Sequence, residues 1–164
     1  MPLEIEHKFL LKNDAWKTLA SHSSKYRQGY LISDSKRSIR VRISEDKAWL
    51  NIKSATIGSC RQEYEYEIPV TEGFEIINTL CEKPIIEKTR YFVPILQHTW
   101  EIDVFSGDNE GLIVAEIELS ESNETFPIPE WVGKEVTLDR RYYNNNLCKN
   151  PYTFWKKNSI GVPP

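Results

Sequence analysis

A closed, mainly β (α+β) fold is what this sequence predicts: an eight-stranded antiparallel barrel, or tunnel, with a few surface helices. Three observations predict it. Apolar and ionic residues alternate with period two over most of the chain, the repeat that sends successive side chains to opposite faces of a strand. Several connections are short and carry the turn signals Asp34-Ser35, Glu45-Asp46, Gly58-Ser59 and Gly107-Asp108, which makes neighbouring strands antiparallel. The polar face is almost entirely ionic, with acids and bases grouped by strand. An ordinary half-solvated sheet would mix Thr, Ser and Gln among its charges, whereas a barrel with an ionic interior accounts for both the purity and the grouping.

The strands are expected over about 3–12, 26–33, 37–44, 47–54, 61–70, 85–95, 98–106 and 112–121. Asp14 is placed to cap a helix over about 15–22. Thr71, with Phe74, Ile77 and Leu80 at helical spacing, predicts a second over 72–81, and a third is expected within Lys134 to Tyr143. That third helix, carrying Arg141 and Tyr142, reads as a surface element packed on the barrel, with closure of one tunnel mouth as its alternative. Asn144-Asn145-Asn146 and Asn150-Pro151 interrupt the tail, so residues after about 144 are expected at the surface or at an opening, and truncation there is expected to leave the barrel folded. The 164 residues make about one domain: barrel about 3–121, helix and tail about 134–164.

Composition limits the function. The chain is 40% apolar and 27% charged with a net charge of −3, so an anionic partner must be held by local cations, and general nucleic-acid coating is disfavoured. The longest apolar runs are short and the N-terminus is charged, which predicts a soluble cytoplasmic protein without a membrane partner. Cys60, Cys81 and Cys148 have no CxxC spacing, and His7, His22 and His98 form no HxxxH or HExxH pattern; a disulfide framework or a transition-metal site is not indicated.

The alternation separates chemistry from packing. Glu4, Glu6 and Lys8 share one face of the first strand while Leu3, Ile5, His7, Phe9 and Leu11 share the other. The same split sets Arg40 and Arg42 against Ile39, Val41 and Ile43. It sets Lys53 against Ile52, and Glu63, Glu65 and Glu67 against Tyr64, Tyr66 and Ile68. It also sets Glu101 and Asp103 against Trp100 and Ile102, and Glu116 and Glu118 against Ala115, Ile117 and Leu119; Lys88 and Arg90 complete the set. Carboxylates two residues apart on a strand can address one hard cation, and Glu4/Glu6 and Glu116/Glu118 are the candidate pairs. Arg40, Arg42, Lys53, Lys88 and Arg90 are donors suited to phosphate oxygens. Cations, carboxylates and metal together point to a metal–polyphosphate complex and phosphoryl chemistry.

Glu4-Ile5-Glu6-His7-Lys8 is an ExExK signature at the N-terminus, and it resembles the CYTH, or triphosphate tunnel metalloenzyme, superfamily. Gln28-Gly29-Tyr30-Leu31, Arg40-Val41-Arg42, Asn51-Ile52-Lys53, Glu63-Tyr64-Glu65, Glu87-Lys88-Thr89-Arg90-Tyr91, Glu101-Ile102-Asp103, Glu116-Ile117-Glu118 and Arg141-Tyr142 follow as its successive motifs in order. The resemblance covers nearly the whole chain. It implies an eight-stranded tunnel that binds a triphosphate with Mg²⁺ or Mn²⁺, one or two ions, and hydrolyses it. Carried over, it implies that Glu4, Glu6 and Glu118 bind metal, supported by Glu116, Asp103 and Glu63, and that Lys8, Arg40, Arg42, Lys53, Lys88 and Arg90 bind phosphate.

On that reading Lys88 is the candidate for activating water, since a lysine among other cations loses its proton more easily; a plain phosphate ligand is the other possibility. Tyr30 is an aromatic that shapes the site, with catalysis as its lesser alternative. The short chain looks most like the small bacterial inorganic triphosphatases. An adenylyl cyclase, a thiamine triphosphatase and a non-catalytic polyphosphate-binding module are the other readings. The partner implied is a triphosphate-containing small molecule, with either a monomer or a homodimer as the assembly.

Overall fold

The computed structural model describes residues 3–155; eight of its strands overlap those that period two predicts, the second starting earlier than expected, at His22, and a ninth lies outside the expected set. They are β1 (Leu3–Leu11), β2 (His22–Ser33), β3 (Arg37–Ser44), β4 (Lys47–Ser54), β5 (Cys60–Ile68), β6 (Ile86–Ile95), β7 (His98–Ser106), β8 (Ile113–Leu119) and a short β9 (Val132–Glu135). All pair antiparallel in the order β5-β4-β3-β2-β6-β7-β8-β1-β9, and a further β5–β1 pairing closes the first eight into a barrel. That seam is short. β1 gives Leu3 to Ile5 to β5 (Cys60 to Gln62) and, farther along, Phe9 and Leu11 to β9.

The expected segregation of faces holds, and it places the apolar packing outside the tunnel. On one flank Ile5, Phe9, Trp100, Ile102, Ala115 and Ile117 pack under Trp16 and Trp131. On another, Val41, Ile43 and Ala48 lie beneath Ile77 of α1 (Val70–Thr79) and Cys81. A barrel whose interior is ionic must bury its hydrophobic face against covering segments, because a strand's two faces alternate strictly. Gly73 allows α1 to approach, since a Cβ there would lie 2.7 Å from the Ala48 Cβ. Gly73→Ala is therefore expected to destabilise by about 1–3 kcal/mol despite a gain of up to about 1 kcal/mol in helix propensity; urea unfolding with an unchanged midpoint would contradict this.

Several expectations near the ends need correction. The first helix is a 3-10 turn over Ala15–Leu19; Asp14 holds the N-cap position as expected but makes no side-chain cap bond, and Asn13 Oδ1 accepts from the Ala15 N–H at 2.9 Å instead. The third helix is absent at 134–143. That stretch holds the end of β9 and a 3-10 turn at Arg140–Tyr142, and the helix, α2, follows at Asn144–Lys149. β9 is four residues long and contains Gly133, whose Cβ would lie 3.0 Å from the Leu10 carbonyl oxygen; close backbone approach, not side-chain alternation, makes this strand.

The tail after 144 is not a surface appendage. Leu147, Cys148 and Trp155 are buried with Tyr30, Ile86, Phe105, Leu112, Val114 and Tyr142. Ile86 shares its strand face with Lys88 and Arg90, Phe105 with Asp103, and Val114 with Glu116. Toward this end the inward face turns from ionic to apolar, and the tail seals it. Among the described residues no helix is long and apolar enough to cross a membrane.

Candidate functional site

The inward faces enclose a cavity of about 350 Å³. Twelve of the thirteen sequence-predicted site residues line it: Glu4, Glu6, Lys8, Tyr30, Arg40, Arg42, Lys53, Glu63, Lys88, Arg90, Glu116 and Glu118. Asp103 does not. It lies fully buried behind the wall, accepting from Lys88 Nζ at 2.7 Å and from Arg90 Nε at 2.7 Å and Nη2 at 3.0 Å. Both its oxygens are committed to orienting two cations of the cavity.

Cross-strand register builds the rest. Lys8 stands opposite Glu116 and Glu6 opposite Glu118 on β1 and β8, while Tyr30 faces Arg40 across β2 and β3. Lys53 Nζ lies 3.2 Å from both Glu4 Oε2 and Glu63 Oε2. Glu116 is approached by Lys8 Nζ at 3.4 Å and by Arg90 Nη2 at 3.6 Å. Arg40 Nε donates to Asn51 Oδ1 at 3.3 Å, and Asn51 Nδ2 to Glu65 Oε2 at 2.7 Å, a carboxylate that Arg42 Nη2 also reaches at 3.3 Å. Seven cations and seven carboxylates line the cavity, a balance that keeps so many buried ions tolerable while costing stability relative to an apolar core.

The carboxylates divide into two electrostatic kinds. Burial pushes Glu4 and Glu116 upward, but Lys53 and Arg61 beside the first and Lys8, Arg90 and Lys88 beside the second hold both well below the usual carboxylate range. Glu6 and Glu118 are compensated only at a distance, by Lys8 and Lys53 at the first and Lys53 at the second; among the described residues neither takes part in a salt bridge or side-chain hydrogen bond. Burial, then Glu116 and Glu4, push Glu6 up to about 8. Burial, with Glu4, Glu101 and Glu63, pushes Glu118 to about 7, although its side chain is open to solvent within the tunnel. Two adjacent carboxylates with no cation paired directly to either suit a divalent cation. Among the described residues no group of three His, Cys, Asp or Glu is drawn together as a ready coordination shell. A divalent cation held here would need oxygens beyond those of the protein, from water or a bound ligand. Burial also drives the Lys88 ammonium down to about 8, with Asp103 opposing and Arg90 reinforcing.

Sequence reasoning missed several lining residues. Arg61 shares strand parity with Glu63 and Glu65, so the alternation already pointed it inward. Tyr143, Asn144 and Asn145 also line the cavity and had no periodic signal, because they leave an irregular tail. Asn144 Oδ1 accepts from Lys88 Nζ at 3.3 Å and from Gln28 Nε2 at 3.2 Å, while Lys8 Nζ donates to the Tyr142 carbonyl at 3.2 Å and lies 5.5 Å from the centre of the Tyr143 ring. Arg141, by contrast, is exposed and pairs with Asp139.

The chain is similar to known proteins. The chain is 52% identical over 157 residues to the inorganic triphosphatase of Acetivibrio thermocellus, covering 96% of this chain and all of that one. It is 38% identical over 149 residues to the inorganic triphosphatase of Nitrosomonas europaea, covering 88% and 96% of the two chains. The crystal structure of the inorganic triphosphatase NE1496 superposes with a TM-score of 0.63 at 35% identity, covering 90% of this chain and 95% of that one. With the charged tunnel in place, and with the CYTH domain model matching residues 2–147 from the ExExK strand into α2, this chain belongs to the CYTH family.

Proposed function

We propose that this protein hydrolyses inorganic triphosphate to pyrophosphate and phosphate inside the tunnel, with one or two Mg²⁺ or Mn²⁺ ions held by Glu4, Glu6 and Glu118. The observation that carries this reading is the meeting of seven inward cations with two carboxylates, Glu6 and Glu118, that no cation pairs with directly, in one small cavity. That combination suits a compact polyanion bound with its metal. The names of the relatives support the same substrate.

A divalent ion bound here supplies Lewis-acid neutralisation of the charge that develops on the phosphate oxygens. The protein groups do the remainder. Lys8, Arg40, Arg42, Lys53 and Arg90 hold nonbridging oxygens and stabilise the departing pyrophosphate. Lys88, whose ammonium is lowered to about 8, is present in part as the amine near neutral pH, and in that form it takes the proton of the attacking water at Nζ. The water oxygen bonds to a terminal phosphorus as the bridging P–O bond breaks. Glu63 and Glu116 hold cations of the site in register, Asp103 does so from behind, and Tyr30 gives the cavity a rigid wall beside Arg40.

The test is release of phosphate and pyrophosphate from tripolyphosphate, ATP and thiamine triphosphate, each with Mg²⁺, Mn²⁺ or excess chelator. Tripolyphosphate turnover that exceeds the other two and vanishes with chelator is expected. Tight binding without turnover of any substrate would make the protein a binding module instead. In the same assay Asn144→Ala is expected to lower kcat about tenfold with little change in KM, since Asn144 orients Lys88 and not the substrate; a change confined to KM would contradict that role.

A further inference from the structure

Arg61 stands where two spaces meet. It lines the tunnel and also a neighbouring cavity of about 490 Å³ that shares Ser38, Thr56 and Asn145 with it and carries the cations Arg37, Arg140 and Lys149 against the single acid Asp34. Its Nε donates to Glu4 Oε1 at 2.6 Å, the shortest ion pair on that carboxylate. Among the described residues, no hydrogen bond is seen at its two Nη groups. The guanidinium is therefore held by one edge while its fork remains uncommitted. Lys53, the other partner of Glu4, is placed differently: it is more deeply buried and bridges Glu4 to Glu63. Releasing Lys53, 6% exposed, would strand a charge in the wall, whereas releasing Arg61, 24% exposed, breaks a single charge-assisted bond at a side chain that already reaches solvent.

We propose that Arg61 is a displaceable counterion of Glu4: it neutralises the carboxylate in the metal-free tunnel and yields it to the incoming divalent cation, its guanidinium turning out toward solvent. This rests on the reading of Glu4 as a metal ligand. Lys53 Nζ already reaches both Glu4 oxygens, at 3.4 and 3.2 Å, and Arg61 Nε takes Oε1 at 2.6 Å, so a metal ion added to this carboxylate meets the repulsion of the arginine and competes with it. Linkage then requires that Arg61 weaken metal binding in the absence of phosphate by the same factor by which metal weakens the Arg61–Glu4 pair. The competing possibility is that the pair is a staple. Glu4 and Arg61 are register partners in the three-residue β1–β5 seam, and such a contact would serve barrel closure alone.

Binding of Mn²⁺ to the full chain, followed by loss of the free-ion EPR signal without phosphate present, separates these roles. Arg61→Met is expected to bind Mn²⁺ about tenfold more tightly than the parent, a coupling of ordinary size, and Arg61→Lys to return the affinity toward the parent value. Arg42→Gln removes another lumen cation, paired with Glu65 and not Glu4, and is expected to change the affinity less than about threefold. Unchanged Mn²⁺ affinity in Arg61→Met, with a lowered Tm, would leave the pair a staple and overturn the proposal. An equal gain in Arg42→Gln would overturn it as well, assigning the effect to the general field. Glu4→Gln tests the underlying reading by itself: Mn²⁺ affinity equal to the parent's would remove Glu4 as a ligand, and the exchange with it. Weakened binding in Glu4→Gln beside an unresponsive Arg61→Met would keep the ligand and discard only the exchange.

Discussion

Glu6→Gln is expected to cut metal-dependent hydrolysis of tripolyphosphate by two to three orders of magnitude, a loss of roughly 3–4 kcal/mol of barrier lowering, while leaving the barrel folded. Gln keeps the shape of Glu and removes the negative oxygen that a cation needs. Stability should move the other way. The Glu6 carboxyl is pushed up to about 8 in the folded chain by burial and by Glu116 and Glu4, and returns to an ordinary carboxylate on unfolding. Between the unfolded value of about 4.5 and the folded value of about 8 the native state binds the extra proton, so metal-free stability falls as pH rises through that window. Glu6→Gln lacks this loss. In chelator, the variant should match the parent near pH 5 and exceed it by a margin that widens up to pH 8; added Mn²⁺ should stabilise the parent and not the variant. A variant that hydrolyses tripolyphosphate at the parental rate with the same Mg²⁺ dependence would remove Glu6 from the metal site.

Most of the tunnel was legible because a strand's geometry translates directly into sequence. When Glu4, Glu6 and Lys8 alternate with Ile5, His7 and Phe9, the ionic face is known before any partner strand is placed, and the same arithmetic placed Arg40, Lys53, Lys88 and Glu116. Arg61 was legible by that rule also, yet it begins its strand, where a boundary shift of one residue separates wall from turn. Asp103 shows the limit of the rule: its inward parity is correct, but depth is set by neighbours, and Lys88 and Arg90 close over it. Asn144 and Tyr143 were not legible at all. Their position depends on where an irregular tail is docked, and that docking comes from Leu147, Cys148 and Trp155 meeting Ile86 and Phe105, contacts between segments distant in sequence with no shared period.

Ending the chain at Asn144 is accordingly expected to destabilise the fold by on the order of 5 kcal/mol or more, against a typical domain stability of roughly 5–15 kcal/mol. The eight barrel strands end at Leu119, and β9 ends at Glu135, so a count of strands alone would make the tail dispensable. Packing argues the opposite. Leu147 is 0% exposed, Cys148 4% and Trp155 4%, and they cover the apolar end of the lumen. Trp155 also donates from Nε1 to the Asn150 carbonyl at 3.0 Å and meets the Tyr142 ring edge to face, with centroids 5.2 Å apart. Without them Ile86, Phe105 and Tyr142 face water, and Asn144 loses the helix that holds it against Lys88. Trp155→Ala and Leu147→Ala offer graded versions, each expected to cost about 2–5 kcal/mol. Urea unfolding followed by circular dichroism would read all three. A truncated chain that unfolds with the parental midpoint and slope would show that the barrel holds its own end closed, and that the tail contributes only Asn144 and its neighbours to the site.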